Sequence, residues 1–138
     1  MGAGQNEAAL MRAVEAWNRG DVGSYLELYD DRLKLHAGTY DFPDLTAVGN
    51  MYRGFFAATS DLRLTIDEAF GHEDRLCARY TVTGRHTGEL MGLPATGKPI
   101  SIIGITIMHF DGGRVVERWD VDDSTEVLSR LRAEPSTS

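Results

Sequence analysis

Apolar and polar residues recur with two different periods along this chain, and the period changes near Ser60. Before Ser60 the apolar residues stand three or four positions apart, as on one face of an amphipathic helix. This spacing predicts helices over residues 7–19, 22–28 and 48–59, with a short strand in the run RLKLHAG between the second and the third. The first part of the chain is therefore predicted to be mainly helical.

After Ser60 apolar and polar residues alternate, which is typical of strands. Four successive antiparallel strands are predicted, with the sequences LRLTIDEAFG, RLCARYTVTGRHTG, KPISIIGITIMHF and GRVVERWDVDD. A last short helix is predicted over residues 124–131. Helices followed by a meandering sheet indicate an α+β domain, and a sheet that curls around the helices leaves a conical cavity for a small molecule.

One predicted strand, ISIIGITIMHF, is apolar on both faces. Its alternate residues Ile103, Ile105 and Ile107 share one face, and Thr106 lies on the other. A sheet covered on one side only does not need two apolar faces, so we expect the second face to meet another copy of the chain in a homodimer. Gly104 in the middle of this strand indicates a bend or a bulge.

Asp120 stands at the end of the next strand, after Trp119. Counting by twos places it on one face with Val116 and Arg118. A carboxylate in a pocket is a candidate base, and Arg118 is a candidate for substrate contact. The alternative is a salt bridge between Asp120 and Arg118, or a strand end that faces water.

Composition restricts the partners and the compartment. The 138 residues make one domain, with small polar ends at about 1–6 and 133–138 that we expect to be flexible. The net charge of −7 without a basic cluster counts against nucleic acid and against an anionic membrane surface, and the longest apolar run is too short to span a bilayer. Cys77 is the single cysteine, so a reducing cytoplasm is the default expectation.

Motifs for other chemistries are missing from the sequence. The four histidines and Cys77 lack the spacing of a zinc or iron site, so no metal is expected. The glycines of GLPATGK do not fit a nucleotide-binding loop, and the elbow of serine hydrolases is absent. The expected ligand is instead a small hydrophobic molecule in the internal cavity.

The segment TGRHTGELMGLPATGKPISIIGITIMHFDGGRVVERWDVDD resembles the SnoaL-like polyketide cyclases of the nuclear-transport-factor-two-like superfamily. The GLPATGK loop, the DGG turn and the WD pair carry the resemblance, and EAWNRGD and LKLHAG extend it toward the N-terminus. It implies a cone-shaped α+β barrel, in which a strongly curved antiparallel sheet wraps around N-terminal helices. It also implies a dimer and no metal or organic cofactor.

In the cyclases of this family, the acid of the last long strand closes a ring by intramolecular aldol condensation of a polyketide ester. The resemblance places that acid at Asp120. A carboxyl group whose pKa is raised by desolvation can remove a proton from carbon and return one to the alkoxide. The same cyclases pair the acid with a histidine on the preceding strand, and that position aligns with Thr106, which is a candidate for substrate contact. His36 and His86 are candidates to supply it, each with a purely structural role as the alternative.

Further residues are candidates for the wall of the cavity: Trp17, Tyr52 and Phe55, whose helical spacing equally fits plain core. Two other functions stay open. A limonene-type epoxide hydrolase of this fold uses two acids and an arginine, with Glu89 as the possible second acid. A small-molecule carrier or sensor of the same fold needs no acid in its cavity.

Overall fold

The computed structural model describes residues 2–133. Four α-helices and six strands make up this part of the chain: α1 (Ala3–Asn18), α2 (Val22–Tyr25), β1 (Tyr29–Ala37), β2 (Tyr40–Phe42), α3 (Leu45–Ala58), β3 (Thr59–His72), β4 (Arg75–His86), β5 (Pro99–Asp111), β6 (Arg114–Asp122) and α4 (Ser124–Ala133). A 3-10 turn, Leu26–Leu28, joins α2 to β1. Most of the predicted flexible C-terminal end, residues 134–138, lies outside the described residues. No helix within 2–133 has the length and apolar character needed to cross a membrane.

The strands form one curved, open sheet in the order β2-β1-β6-β5-β4-β3. The strands β3, β4, β5 and β6 form an antiparallel meander, as predicted. The pairing of β1 with β6 is parallel, with Ala37 beside Asp120. The α+β prediction is confirmed, but the sheet is not antiparallel throughout. Strand β2 was predicted as loop, and at three residues it is too short to display an alternating pattern.

The two faces of strand β5 differ in burial. Residues on its inner face are almost fully buried: Ile100, Ile102, Thr106, Met108 and Phe110. Their neighbours on the outer face remain 57%, 55% and 45% exposed at Ile103, Ile105 and Ile107. The two apolar faces read from the sequence are therefore real, and only one of them is covered within the chain.

The helix α1 covers the inner face with Leu10, Val14 and Trp17. It begins at Ala3, four residues before the predicted start at Glu7. The reason is that Asn6 is buried and its side-chain amide donates to the Glu73 carbonyl at 3.3 Å. At the other end of α1 the Asn18 amide exchanges two hydrogen bonds, of 2.8 and 3.0 Å, with the backbone of Leu64.

The helix α3 is the second helix that covers the sheet. Asp44 caps its first turn by accepting from the Ala47 amide at 2.9 Å, an interaction that stabilises a helix by about 1 kcal/mol. The helix ends at Thr59, which is already extended and whose hydroxyl donates to the Phe55 carbonyl at 2.6 Å. Between these ends Tyr52 and Phe55 lie half-buried against the core.

Gly104 is explained by a close approach and not by the predicted bend or bulge. Its pairing with Tyr80 and Asp122 is regular, and the irregularity between β5 and β6 lies between His109 and Phe110. A Cβ atom at Gly104 would overlap the ring of Tyr80. Glycine therefore lets the Tyr80 ring cross β5 toward β6.

Candidate active site

Asp120 lies on the inner face of β6, directly opposite the buried Thr106 of β5. Its side chain is 13% exposed, so it is shielded from solvent without being sealed off. Arg118 shares this face and is buried. The irregular pairing near Phe110 shifts the register, so Val115 is fully buried instead of the predicted Val116.

The Asp120 carboxyl group is held by two neighbours, Tyr80 and Arg118. The Tyr80 hydroxyl lies 2.8 and 3.0 Å from its two oxygens and donates its proton to them. The Arg118 Nη2 atom lies 3.5 Å from one oxygen. Burial raises the pKa of Asp120, and the nearby Asp122 raises it further, against the opposing effects of Arg118 and Tyr80. A carboxyl group with a raised pKa is suited to accept a proton and to return it.

Tyr80 reaches Asp120 from two strands away, across β5, because Gly104 leaves room for its ring. Burial raises the pKa of Tyr80, so its hydroxyl stays protonated and remains a donor. Tyr80 faces inward but was not predicted as a site residue. A tyrosine directly opposite a glycine in the predicted hairpin was the available sequence signal.

Arg118 is a buried cation held by neutral oxygens. Its Nε atom donates to the Thr106 hydroxyl at 2.8 Å, and that hydroxyl donates in turn to the Trp119 carbonyl at 2.8 Å. Its Nη1 atom donates to the Tyr29 hydroxyl at 2.5 Å and lies 3.3 Å from those of Tyr25 and Tyr52. Thr106, predicted to contact substrate, is therefore engaged in positioning Arg118.

We call Tyr25, Tyr29 and Tyr52 the tyrosine cluster. The Tyr25 hydroxyl is 2.9 Å from that of Tyr29 and 3.4 Å from that of Tyr52, and Trp17 packs edge-on against Tyr25 and Tyr52 with ring centres 5.1 and 5.3 Å away. Burial raises the pKa of both Tyr29 and Tyr52, so these hydroxyls are uncharged near neutral pH. Tyr52 contacts Arg118 and Trp17 packs on Tyr52, and their role as the wall of a cavity stays a prediction.

His36 does not lie with Asp120. The alternation of β1 buries Leu33 and Leu35 and turns His36 to the outer face of the sheet. There its two ring nitrogens lie 2.7 Å from Asp41 and 2.8 Å from Glu117. Both carboxylates raise the pKa of His36. These contacts fasten β1 to β2 and β6, which is a structural role.

His86 faces the interior and is fully buried. Its Nδ1 atom is 2.9 Å from the Thr96 hydroxyl, whereas its Nε2 atom has no hydrogen-bond partner among the described residues. The β4 residue level with Asp120 is Ala78, and His86 lies eight positions further along β4. At the rise of a strand, this is about 26 Å along β4. The structure therefore brings neither candidate histidine to Asp120.

Phe55 and Glu89 also lie apart from the acid. Phe55 packs on the core from α3, and Glu89 is exposed in the loop between β4 and β5. The acid beside Asp120 is Asp122, two residues along the same strand, which sequence reasoning did not select. Its position two residues after Asp120, on the same face of β6, was the sequence signal that could have identified it.

A groove of about 430 Å³ lies elsewhere, between the start of β1 and the start of α3. It is lined by Leu26, Asp31, Asp44, Leu45, Thr46, Gly49 and Arg53, and no predicted site residue is among them. Across residues 2–133, no group of three or more His, Cys, Asp or Glu side chains is arranged to hold a metal ion. The group of residues suited to catalysis is therefore Asp120, Tyr80 and Arg118.

Comparisons with known proteins identify relatives of this chain by sequence and by fold. The family model of the SnoaL-like polyketide cyclases matches residues 7–131. The aklanonic acid methyl ester cyclase AcmA of Streptomyces galilaeus is 32% identical over 127 residues, covering 84% of this chain and 83% of that protein. The structure of AclR, a candidate hydroxylase from the same organism, superimposes with a TM-score of 0.87 at 29% identity, over 96% of this chain and 99% of AclR.

A SnoaL-like protein of Jannaschia sp. CCS1 has the same fold, with a TM-score of 0.85 at 17% identity over 96% of this chain and 95% of its own. The match of the family model and the identity to AcmA both extend over most of the sequence. The chain belongs to the SnoaL-like polyketide cyclase family.

Proposed function

We propose that this protein closes a carbon ring in a small hydrophobic polyketide ester by intramolecular aldol addition, without a cofactor and with Asp120 as general acid and base. The observation that carries the proposal is the shielded Asp120 carboxyl group, whose pKa is raised and which receives the Tyr80 hydroxyl. The 32% identity to AcmA supports a methyl ester of the aklanonic acid type as the substrate.

In this reaction the Asp120 carboxyl group acts first as a base and then as an acid. Asp120 first takes a proton from a carbon flanked by two carbonyl groups, and the electron pair of that C–H bond passes into an enolate. The enolate carbon then forms a bond to the ketone carbon, whose oxygen becomes an alkoxide. Asp120 returns its proton to that oxygen, so substrate and product have the same composition. A metal is not needed because the enolate charge is spread over two carbonyl oxygens.

The test is conversion of aklanonic acid methyl ester by the purified protein, followed by liquid chromatography and mass spectrometry. We expect a product with a new retention time and an unchanged mass, formed in proportion to the protein concentration. A product heavier by one water, or no protein-dependent product, would contradict ring closure of this ester.

Water addition to an epoxide is the second candidate. Limonene-type epoxide hydrolases use two acids and an arginine, and here Arg118, Asp120 and Asp122 follow one another at alternate positions of β6. Conversion of limonene oxide in oxygen-18 water distinguishes the two reactions, because hydrolysis places the heavy oxygen in a diol and ring closure does not use water.

We further propose that the outer face of the sheet binds a second copy of the chain. This outer face carries five exposed apolar side chains on neighbouring strands: Ile103, Ile105, Ile107, Trp119 and Val121. Contiguous apolar patches on soluble proteins mark interaction sites, and a face of aliphatic rows is complementary to itself across a twofold axis. A homodimer would cover these residues in both copies.

A further inference from the structure

The Arg118 guanidinium has donor capacity that the protein leaves unfilled. Its Nε and Nη1 atoms are occupied by Thr106 and the tyrosine cluster. Among the hydrogen bonds of the described residues, Nη2 makes only the contact of 3.5 Å with Asp120. An Nη atom carries two N–H donors, and a contact of this length is a weak hydrogen bond. One N–H of Nη2 therefore makes only this weak contact with Asp120, and the other has no acceptor among the described residues.

The charge of Arg118 is balanced within the site by Asp120. The hydroxyls of Tyr29, Tyr52 and Tyr80 are neutral, because burial raises the pKa of each of these tyrosines. Asp120 supplies the carboxylate that lies in contact with the guanidinium. Burial raises the pKa of Asp120 by more than Arg118 lowers it, so the fold favours protonation even though it leaves the buried cation without this counterion.

This arrangement also accounts for Thr106 at the position where the resemblance expects a histidine. The Thr106 hydroxyl accepts from Arg118 and is itself fixed by the Trp119 carbonyl. It thereby directs the guanidinium toward Asp120, level with it on the neighbouring strand. Arginine stays protonated at all ordinary pH values, so it can polarise an oxygen but cannot exchange a proton.

We propose that Arg118, held by Thr106 and the tyrosine cluster, is the oxyanion-binding residue of this enzyme and takes the place of the missing histidine. The inference rests on the proposed ring closure. When Asp120 removes the carbon-bound proton, the negative charge passes from the carboxylate to the enolate, and Nη2 can bind the enolate oxygen. The net charge beside the guanidinium is unchanged, so the buried cation has a counterion throughout. Donors aimed at developing charge in a shielded site are a principal source of catalysis.

An equilibrium experiment tests this without turnover. Asp120→Asn imitates the protonated acid, so it should bind a planar aromatic anion that replaces the lost counterion. The probe is 2-naphthoate at pH 7.5, with neutral 2-naphthamide as the matched control, measured by titration calorimetry. We expect Asp120→Asn to bind 2-naphthoate at least about tenfold more tightly than wild type, with no such gain for the amide.

The double variant Asp120→Asn/Arg118→Gln should lose this gain, and Asp120→Asn/Arg118→Lys should retain part of it. Circular dichroism verifies that each variant is folded. Equal affinity of wild type and Asp120→Asn for 2-naphthoate, or a gain that persists with Arg118→Gln, overturns the proposal. A tenfold gain in a protein that closes no ring would contradict the proposed function and leave the oxyanion site supported.

Discussion

Replacing Asp120 by asparagine (Asp120→Asn) is expected to slow ring closure by about 10²–10⁴-fold. The amide has nearly the shape of the carboxyl group and can still accept from Tyr80, but it cannot take a proton from carbon. The rate of loss of aklanonic acid methyl ester under single-turnover conditions measures the effect. Glu15→Gln is the matched control, because Glu15 is an exposed acid on α1 and its variant should retain the wild-type rate.

The same substitution should stabilise the fold at neutral pH. Because the folded state raises the pKa of Asp120 above its ordinary value of 3.8, folding favours the protonated form of this group. The contribution of Asp120 to stability is therefore complete below pH 3.8 and is lost as the pH rises through the raised value. Asp120→Asn should have the higher melting temperature at pH 7, and the difference should vanish below pH 3.8. A lower melting temperature of Asp120→Asn at pH 7, or unchanged turnover, would contradict the assignment.

Ile105→Glu is expected to convert a dimer into a monomer. Ile105 lies in the middle of the outer face, opposite Val121 on β6, and is 55% exposed in the single chain. A carboxylate there is solvated in the monomer but would be buried without a partner in a dimer, which costs several kcal/mol. Sedimentation equilibrium should give twice 15.2 kDa for wild type and 15.2 kDa for the variant.

The control for this prediction is Ser101→Glu. Ser101 is exposed near the start of β5, on the same outer face but beyond the end of the isoleucine row, two residues before Ile103. Its variant should remain a dimer, and circular dichroism should show that both variants are folded. A monomeric wild type, or an Ile105→Glu protein that stays dimeric, is incompatible with the proposed interface.

The alternation of β5 could be predicted from sequence because burial imposes a period of two on every paired strand. The same counting placed Arg118 and Asp120 on one face, and it failed only at Val116, where an irregular pairing shifts the register by one residue. Such irregularities depend on the pairing with the neighbouring strand, so the sequence of one strand alone does not reveal them. Strand β2 was missed because three residues cannot establish a period.

Contacts between distant parts of the chain could not be predicted in this way. The Tyr80 hydroxyl meets Asp120 across 40 positions, and Arg118 meets Tyr52 across 66. Both contacts depend on how far the sheet curls and on the room left at Gly104. For His36 the strand pattern was a better guide than the residue type. Its alternation with Leu35 already indicated the outer face, whereas a histidine as such suggested a catalytic role.

Deuterium exchange on a substrate analogue tests the central claim, that Asp120 removes a carbon-bound proton, most directly. Methyl benzoylacetate has a carbon flanked by two carbonyl groups but no second ketone to attack, so the reaction stops at the enolate. Proton magnetic resonance in heavy water follows the loss of the carbon-bound proton. We predict an exchange rate that rises above the buffer background in proportion to wild-type concentration and that stays at the background with Asp120→Asn. Equal exchange with both proteins, or none with wild type, would contradict the account.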